Sequence, residues 1–208
     1  MPDSNSLISF AIASFALLVI PGPAVLYIVN RSVSDGRSIG FASVVGIELG
    51  TLMHVLAATA GLSAILAASP SAFNAVKYLG ALYLISVGLR TLLRKPAAIA
   101  SLASSMTNFQ AFRQGFIINT LNPKVALFFL SFLPQFIDQD KSSNALQALT
   151  LGVVFVSCGF ITDGTYALTA SSLREVLVKG KTLPFVQRYI AGVVFVVLGL
   201  VAASAKIS

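Results

Sequence analysis

Six stretches of this chain are each long and apolar enough to cross a lipid bilayer as a helix, and that feature leaves few folds open. A helix needs about 20 largely apolar residues to cover a hydrocarbon core of ~30 Å. The stretches are Leu7–Asn30, Gly40–Ala67, Ala72–Leu93, Arg113–Ile137, Leu146–Leu173 and Phe185–Ala205. Only 10% of the 208 residues are charged, too few to clothe a soluble domain, which carries roughly 25%. The pattern predicts an all-α membrane protein with six transmembrane helices. The apolar run from Leu7 reads as the first span. It is not a convincing signal peptide, because Asp3 precedes it and no small-residue cleavage site follows.

The net charge of +7 does not point to nucleic acid. The basic residues lie in short loops between apolar runs, where anionic lipid headgroups attract them. The loops after spans one, three and five, with the adjoining helix ends, hold Arg31, Arg37, Arg90, Arg94, Lys95, Arg113, Arg174, Lys179, Lys181 and Arg188. The other side holds Lys77, Lys141 and Lys206. Basic residues stay inside, so this asymmetry predicts cytoplasmic odd loops and two periplasmic termini.

The halves resemble each other. Shifted by 111, Lys77, Tyr78, Gly88 and Leu89 match Arg188, Tyr189, Gly199 and Leu200. Pro23 and Pro123 stand centrally in spans one and four. Glu48 and Asp163 stand in spans two and five, each beside a Gly-Thr pair, Gly50-Thr51 and Gly164-Thr165. An odd number of spans per repeat forces the repeats to run in opposite directions, a recurrent plan of secondary transporters. The expected fold is one domain, 1–208. Residues 1–93 and 113–208 form two inverted three-helix repeats, with a cytoplasmic linker at 94–112 and proline-broken helices one and four.

Proline inside a helix frees the carbonyl four residues earlier, and in a bilayer that group cannot turn to water. Pro21, Pro23 and Pro123 free the carbonyls of Leu17, Val19 and Asn119. Gly22 allows unusual backbone angles. Asn122 suits an N-cap with Pro123 at the first helical position, and Pro23 can start a half-helix likewise. Two half-helix N-termini inside the membrane would form a seat for a carboxylate, which Lys124 would strengthen. Lys124 lies ~16 Å along the helix from Arg113, and Asp163 a similar distance from Arg174. Glu48 reads as nearer one surface.

Ionisable residues at such depth are functional candidates. A carboxylate in a low-dielectric cavity can exchange a proton or hold an ammonium group. The other readings are proline kinks that serve packing alone, and a structural pair of Lys124 with Asp163. His54 is a candidate for the proton path, or an interhelical hydrogen-bonding residue. Gly46 and Gly50, four apart, permit close helix approach within one chain or across a homodimer seam. The lone Cys158 excludes an intramolecular disulfide or dithiol pair and packs as a small apolar residue. No metal-ligand cluster and no Ser-His-Asp order stand out, so neither metal, cofactor nor enzyme chemistry is expected.

Pro21-Gly22-Pro23, Gly36-Arg37, Gly46 to His54, Val76 to Leu93, and above all "GFIINTLNPKVALFFLSFLPQF" from Gly115 to Phe136 resemble the LysE/RhtB family of amino-acid exporters. Asp163 and Tyr166 resemble its span-five acid and aromatic. The resemblance implies a bacterial inner-membrane protein that exports amino acids on the proton gradient. The substrate-binding candidates are Pro21, Gly22, Pro23, Glu48, Asn119, Asn122, Pro123, Lys124 and Asp163. Those for proton coupling are Asp163, Glu48 and His54. Two departures bear on substrate choice: Ala24 stands where the family often has Asn, and Thr51 where it often has an acid. Two deep acids suit a neutral amino acid such as threonine, homoserine or leucine. A basic amino acid, another small organic ion or a metal cation is the alternative cargo.

Overall fold

The structure is a computed structural model. It describes residues 2–68, 106–138 and 143–172, with single helical positions between 78 and 93 and between 193 and 200. Most of the expected spans three and six, most of the repeat match built on them and most of the linker lie outside the described residues.

The described residues form helices α1 (Ser4–Leu18), α2 (Pro23–Asp35), α3 (Arg37–Ala68), α4 (Asn108–Thr120), α5 (Pro123–Ser131) and α6 (Asn144–Ser172). A 3-10 turn, Leu133–Phe136, follows α5. The starts follow local chemistry. The Asp3 carboxylate accepts from the Ser6 amide at 2.7 Å. Thr107 and Gln110 form a reciprocal capping box, so α4 begins at Asn108, inside the stretch expected to be linker. Gly36 turns α2 into α3 at φ 90°, a conformation that disfavours other residues.

Two described segments, Arg37–Gly61 of α3 and all of α6, are unbroken and apolar enough to cross a membrane. Two bent pairs pass the same test as single spans. One is α1 with α2, bent by 58°; the other is α4 with α5 and the 3-10 turn, bent by 45°. The bends fall at Pro21–Pro23 and at Asn122-Pro123, where proline removes the donors that would continue a helix.

Arg37 donates to the hydroxyls of Ser171 and Ser172 at 3.1 and 2.7 Å. Ser38 donates to Asn108 at 3.1 Å, and the Tyr27 hydroxyl donates to the Ala111 carbonyl at 3.0 Å. These contacts gather the end of α2, the starts of α3 and α4 and the end of α6 at one pole. The two bent pairs therefore run in opposite directions, as do α3 and α6. Near this pole Arg31 and Asp35 form a buried ion pair at 2.8 Å. On the far side of the breaks, Phe10, Phe128, Phe129, Phe132 and Phe155 pack into one cluster with Leu17 and Leu151. Its ring centroids lie as close as 4.8 Å. Such contacts hold helices by shape in lipid, where water is no competitor.

The tightest seam joins α3 to α4. A Cβ on Gly46 would collide with the Phe112 carbonyl. One on Gly50 would stand 2.9 Å from the Phe116 carbonyl oxygen, and one on Gly115 2.7 Å from that of Ser43. Gly46 and Gly50 thus serve close approach within the chain, and that face is not free to form a dimer seam.

Candidate substrate site at the two helix breaks

The seam brings the second break beside the middle of α3. Asn119, in the last turn of α4, donates through its amide to the Ile47 carbonyl at 2.9 Å and to the Thr51 hydroxyl at 2.8 Å. Its own side-chain oxygen accepts from the Asn122 amide at 3.0 Å. The oxygen of Asn122 accepts from the Lys124 backbone N–H at 3.1 Å, so Asn122 caps α5 with Pro123 at its first position. The Asn119 carbonyl, freed by Pro123, accepts from the Asn122 amide N–H at 3.0 Å and from His54 Nε2 at 2.8 Å. His54 thereby braces α3 against the second break and does not line the cavity between the two breaks.

The first break uses no side chain of its own. Gly22 is the N-cap of α2 and Pro23 its first residue. The Leu17 carbonyl accepts from the Ile20 amide at 3.2 Å. The Val19 carbonyl, freed by Pro23, accepts from the Tyr166 hydroxyl of α6 at 2.6 Å. The next carbonyl, that of Ile20, accepts from Lys124 Nζ at 2.8 Å. The Lys124 stem passes over Gly22: a Cβ there would lie 3.3 Å from Lys124 Cδ and 3.5 Å from Nζ. The lysine of the second break therefore closes the first.

Between the breaks lies a cavity of about 20 Å³, room for about one water. Its polar lining is Glu48, Thr51, Asn119, Asn122, Lys124 and Asp163. Leu17, Leu18, Val25, Ile47 and Val125 give it an aliphatic side, and Gly22 and Ala24 complete it. Six residues expected from the sequence meet here: Gly22, Glu48, Asn119, Asn122, Lys124 and Asp163. Pro21, Pro23 and Pro123 shape the breaks without lining the cavity, and His54 stands outside it. A space for one water is far below the size of an amino acid, so the cavity must widen to take one.

Glu48 and Asp163 are each 2% exposed. Glu48 lies level with Asp163, not nearer a surface as its place in the sequence suggested, because α3 begins at Arg37 and puts Glu48 near its span centre. The Glu48 carboxylate rests on the bare Cα of Gly159, where a Cβ would come within 2.5 to 2.7 Å of it. Asp163 stands one turn further along the same face of α6. The two carboxyl groups are neighbours, and Lys124 lies within electrostatic reach of Asp163. Both Glu48 oxygens and Oδ1 of Asp163 are buried and have no hydrogen-bond partner among the described residues. Buried polar atoms are nearly always paired, so three such oxygens in one cavity mark a place built for a donor.

A family model, LysE type translocator, matches residues 15–206. The chain belongs to the LysE type translocator family. It is accordingly a transporter and not an enzyme, and with its apolar helices it is a multi-pass membrane protein. Among similar proteins, an uncharacterized membrane protein of Pseudomonas aeruginosa, PA4757, is 34% identical over 144 residues, 66% of this chain and 67% of that one. A leucine efflux protein of Enterobacter sp. is 27% identical over 192 residues, 90% of each chain. A leucine efflux protein of Salmonella typhimurium is 26% identical over 190 residues, also 90% of each. No solved structure matches this translocator.

Two residues of the site escaped the sequence reading. Gly159 carries no signal of its own, since its importance lies in what α3 sets against it. Tyr166 entered only through the family resemblance, yet it supplies the donor for the carbonyl that Pro23 frees. A search for a hydroxyl to match each freed carbonyl would have raised Tyr166 as a candidate, though not its partner.

Proposed function

We propose that this translocator is a secondary active exporter of small neutral amino acids across the bacterial inner membrane, driven by the proton gradient. The observation that carries the reading is the cavity between the breaks, with Lys124 and two half-helix first turns facing a buried carboxyl pair. The substrate carboxylate docks on the starts of α2 and α5 beside Lys124, drawing Nζ from the Ile20 carbonyl. The ammonium group faces Glu48 and Asp163, and these acids exchange a proton with the periplasmic side. The side chain lies against Leu17, Leu18, Val25, Ile47 and Val125, which suits an aliphatic residue. The leucine efflux proteins among the relatives support the same class.

The cavity must open alternately to each side. Two inverted repeats rocking against each other would do this, and the opposed directions of the bent pairs and of α3 and α6 support that plan. The basic loops support a cytoplasmic Arg37 pole and periplasmic termini.

Two acids against one lysine favour a second reading, export of a basic amino acid. Efflux of labelled leucine, threonine, homoserine, lysine and arginine from proteoliposomes, with and without a pH gradient, decides between them. Gradient-dependent efflux of the neutral group is expected. Efflux of lysine and arginine alone would replace it with the basic class, and efflux of none would refute amino-acid export.

A further inference from the structure

We infer that Glu48 and Asp163 act as one site for a single proton, and that this proton and the substrate's ammonium group are alternative occupants of the same oxygens. The inference rests on the amino-acid reading and adds to it a coupling number, one proton per amino acid.

Two independent counts lead to it. The first is of charge. Among the described residues, the charged side chains lining the cavity are Glu48 from α3, Asp163 from α6 and Lys124 from α5. The cavity lining from α1, α2 and α4 is uncharged. Tyr166, also on α6, gives its proton to the Val19 carbonyl, and His54 of α3 faces the Asn119 carbonyl. With all three charged groups ionised, the empty cavity has a net charge of minus one in a space for about one water, a costly state inside a membrane protein. One proton removes it.

The second count is of hydrogen bonds. Ionised carboxylates accept only, so neighbouring Glu48 and Asp163 cannot bond to each other, and three of their oxygens stand unpartnered. A proton on one carboxyl becomes the donor between them and satisfies an oxygen on each side. The third oxygen is left for the one water that fits. A second proton would give the cavity a net positive charge. Both counts therefore ask for the same single proton.

An ammonium group has three N–H donors, one for each unpartnered oxygen. It cannot use them while the proton bridges the pair. As the amino acid docks, the bridging proton leaves to water, and the ammonium takes its place; the zwitterion adds no net charge, so the loaded site returns to minus one, now with an N–H donor facing each of the three oxygens. When the amino acid departs on the periplasmic side, one proton returns. Gly159 matters because a bare Cα lets the Glu48 carboxylate lie against α6, beside Asp163.

Calorimetric titration of leucine into the purified translocator in lipid nanodiscs tests this, in buffers of different ionisation enthalpy near neutral pH. The dependence of the observed heat on buffer enthalpy gives the protons released. Leucine is a zwitterion before and after binding, so the protons come from the protein. One proton released per leucine is expected. Binding with no proton released, or with two, would overturn the inference and leave the exporter reading standing. Absence of binding by any amino acid, in protein shown folded by its thermal transition, would overturn both. Glu48→Gln and Asp163→Asn should each bind leucine roughly tenfold or more weakly, from loss of a charged acceptor. Each should release no proton. Release of one proton by both variants would place the titrating group elsewhere and overturn the inference.

Discussion

At the first break, α2 starts on Gly22, which gives its helix no side-chain cap, and the exposed carbonyls of Val19 and Ile20 accept from Tyr166 and Lys124 on two other helices. At the second, Asn122 caps α5 itself, Asn119 ties the break to α3, and only the Asn119 carbonyl looks to a distant residue, His54. The second break carries its own cap and is tied to one other helix, α3. The other is held by groups that can be called away, and Lys124, at its centre, is the same cation we propose as the substrate's seat. Proline makes both breaks; the difference lies in how the freed backbone is satisfied. A carboxylate arriving at Lys124 would release the Ile20 carbonyl and loosen the first break, while the second stays as the frame.

Four substitutions sharpen or break that comparison. Lys124→Ala should have the largest effect, because it removes the seat and the closing donor together. Efflux from proteoliposomes should fall by roughly a hundredfold or more, as for loss of a partner from a buried charged pair. Normal efflux would remove Lys124 from the mechanism. Gly159→Ala should come next. Its Cβ meets the Glu48 carboxylate, and overpacking of about 1–3 kcal/mol corresponds to roughly fivefold to 150-fold lower efflux. Protein level, checked by detergent-solubilised yield, should hold.

Tyr166→Phe leaves the Val19 carbonyl without its donor. A cost of about 1–3 kcal/mol should appear as a lower thermal midpoint, with efflux reduced more than stability alone explains. Asn122→Ala should be the mildest. Losing the N-cap costs about 1 kcal/mol and leaves Asn119 Oδ1 without its donor, read as a fall in thermal midpoint with efflux reduced least of the four. If Asn122→Ala damaged transport as much as Tyr166→Phe, the two breaks would not differ as described.

Much of this arrangement was legible in the residues. Pro23 and Pro123 announced where the helices break, and Asn122 announced its cap. These features are local, and local chemistry is written in a few adjacent letters. What stayed hidden was long-range. The contact of Tyr166 with Val19 spans 147 residues, and the rest of Glu48 on Gly159 depends on where α3 crosses α6. The depth of Glu48 was misjudged because its helix starts at Arg37, a boundary set by the turn at Gly36. Gly46 and Gly50 signalled close approach, but which helix approached, α4, is a property of the packing.

The central claim is that the substrate's carboxylate takes Lys124 from the Ile20 carbonyl. It is tested most directly by a thermodynamic cycle, measuring the binding of leucine and of leucinamide to wild type and to Lys124→Ala. Amidation removes the substrate's negative charge, and the substitution removes its partner, so the two losses should not add. Amidation should weaken binding to wild type by roughly tenfold or more, as for a charged hydrogen bond, and should change binding to Lys124→Ala little. An equal loss in both proteins would mean that Lys124 does not meet the carboxylate, and the lysine would remain a structural clasp between the two breaks.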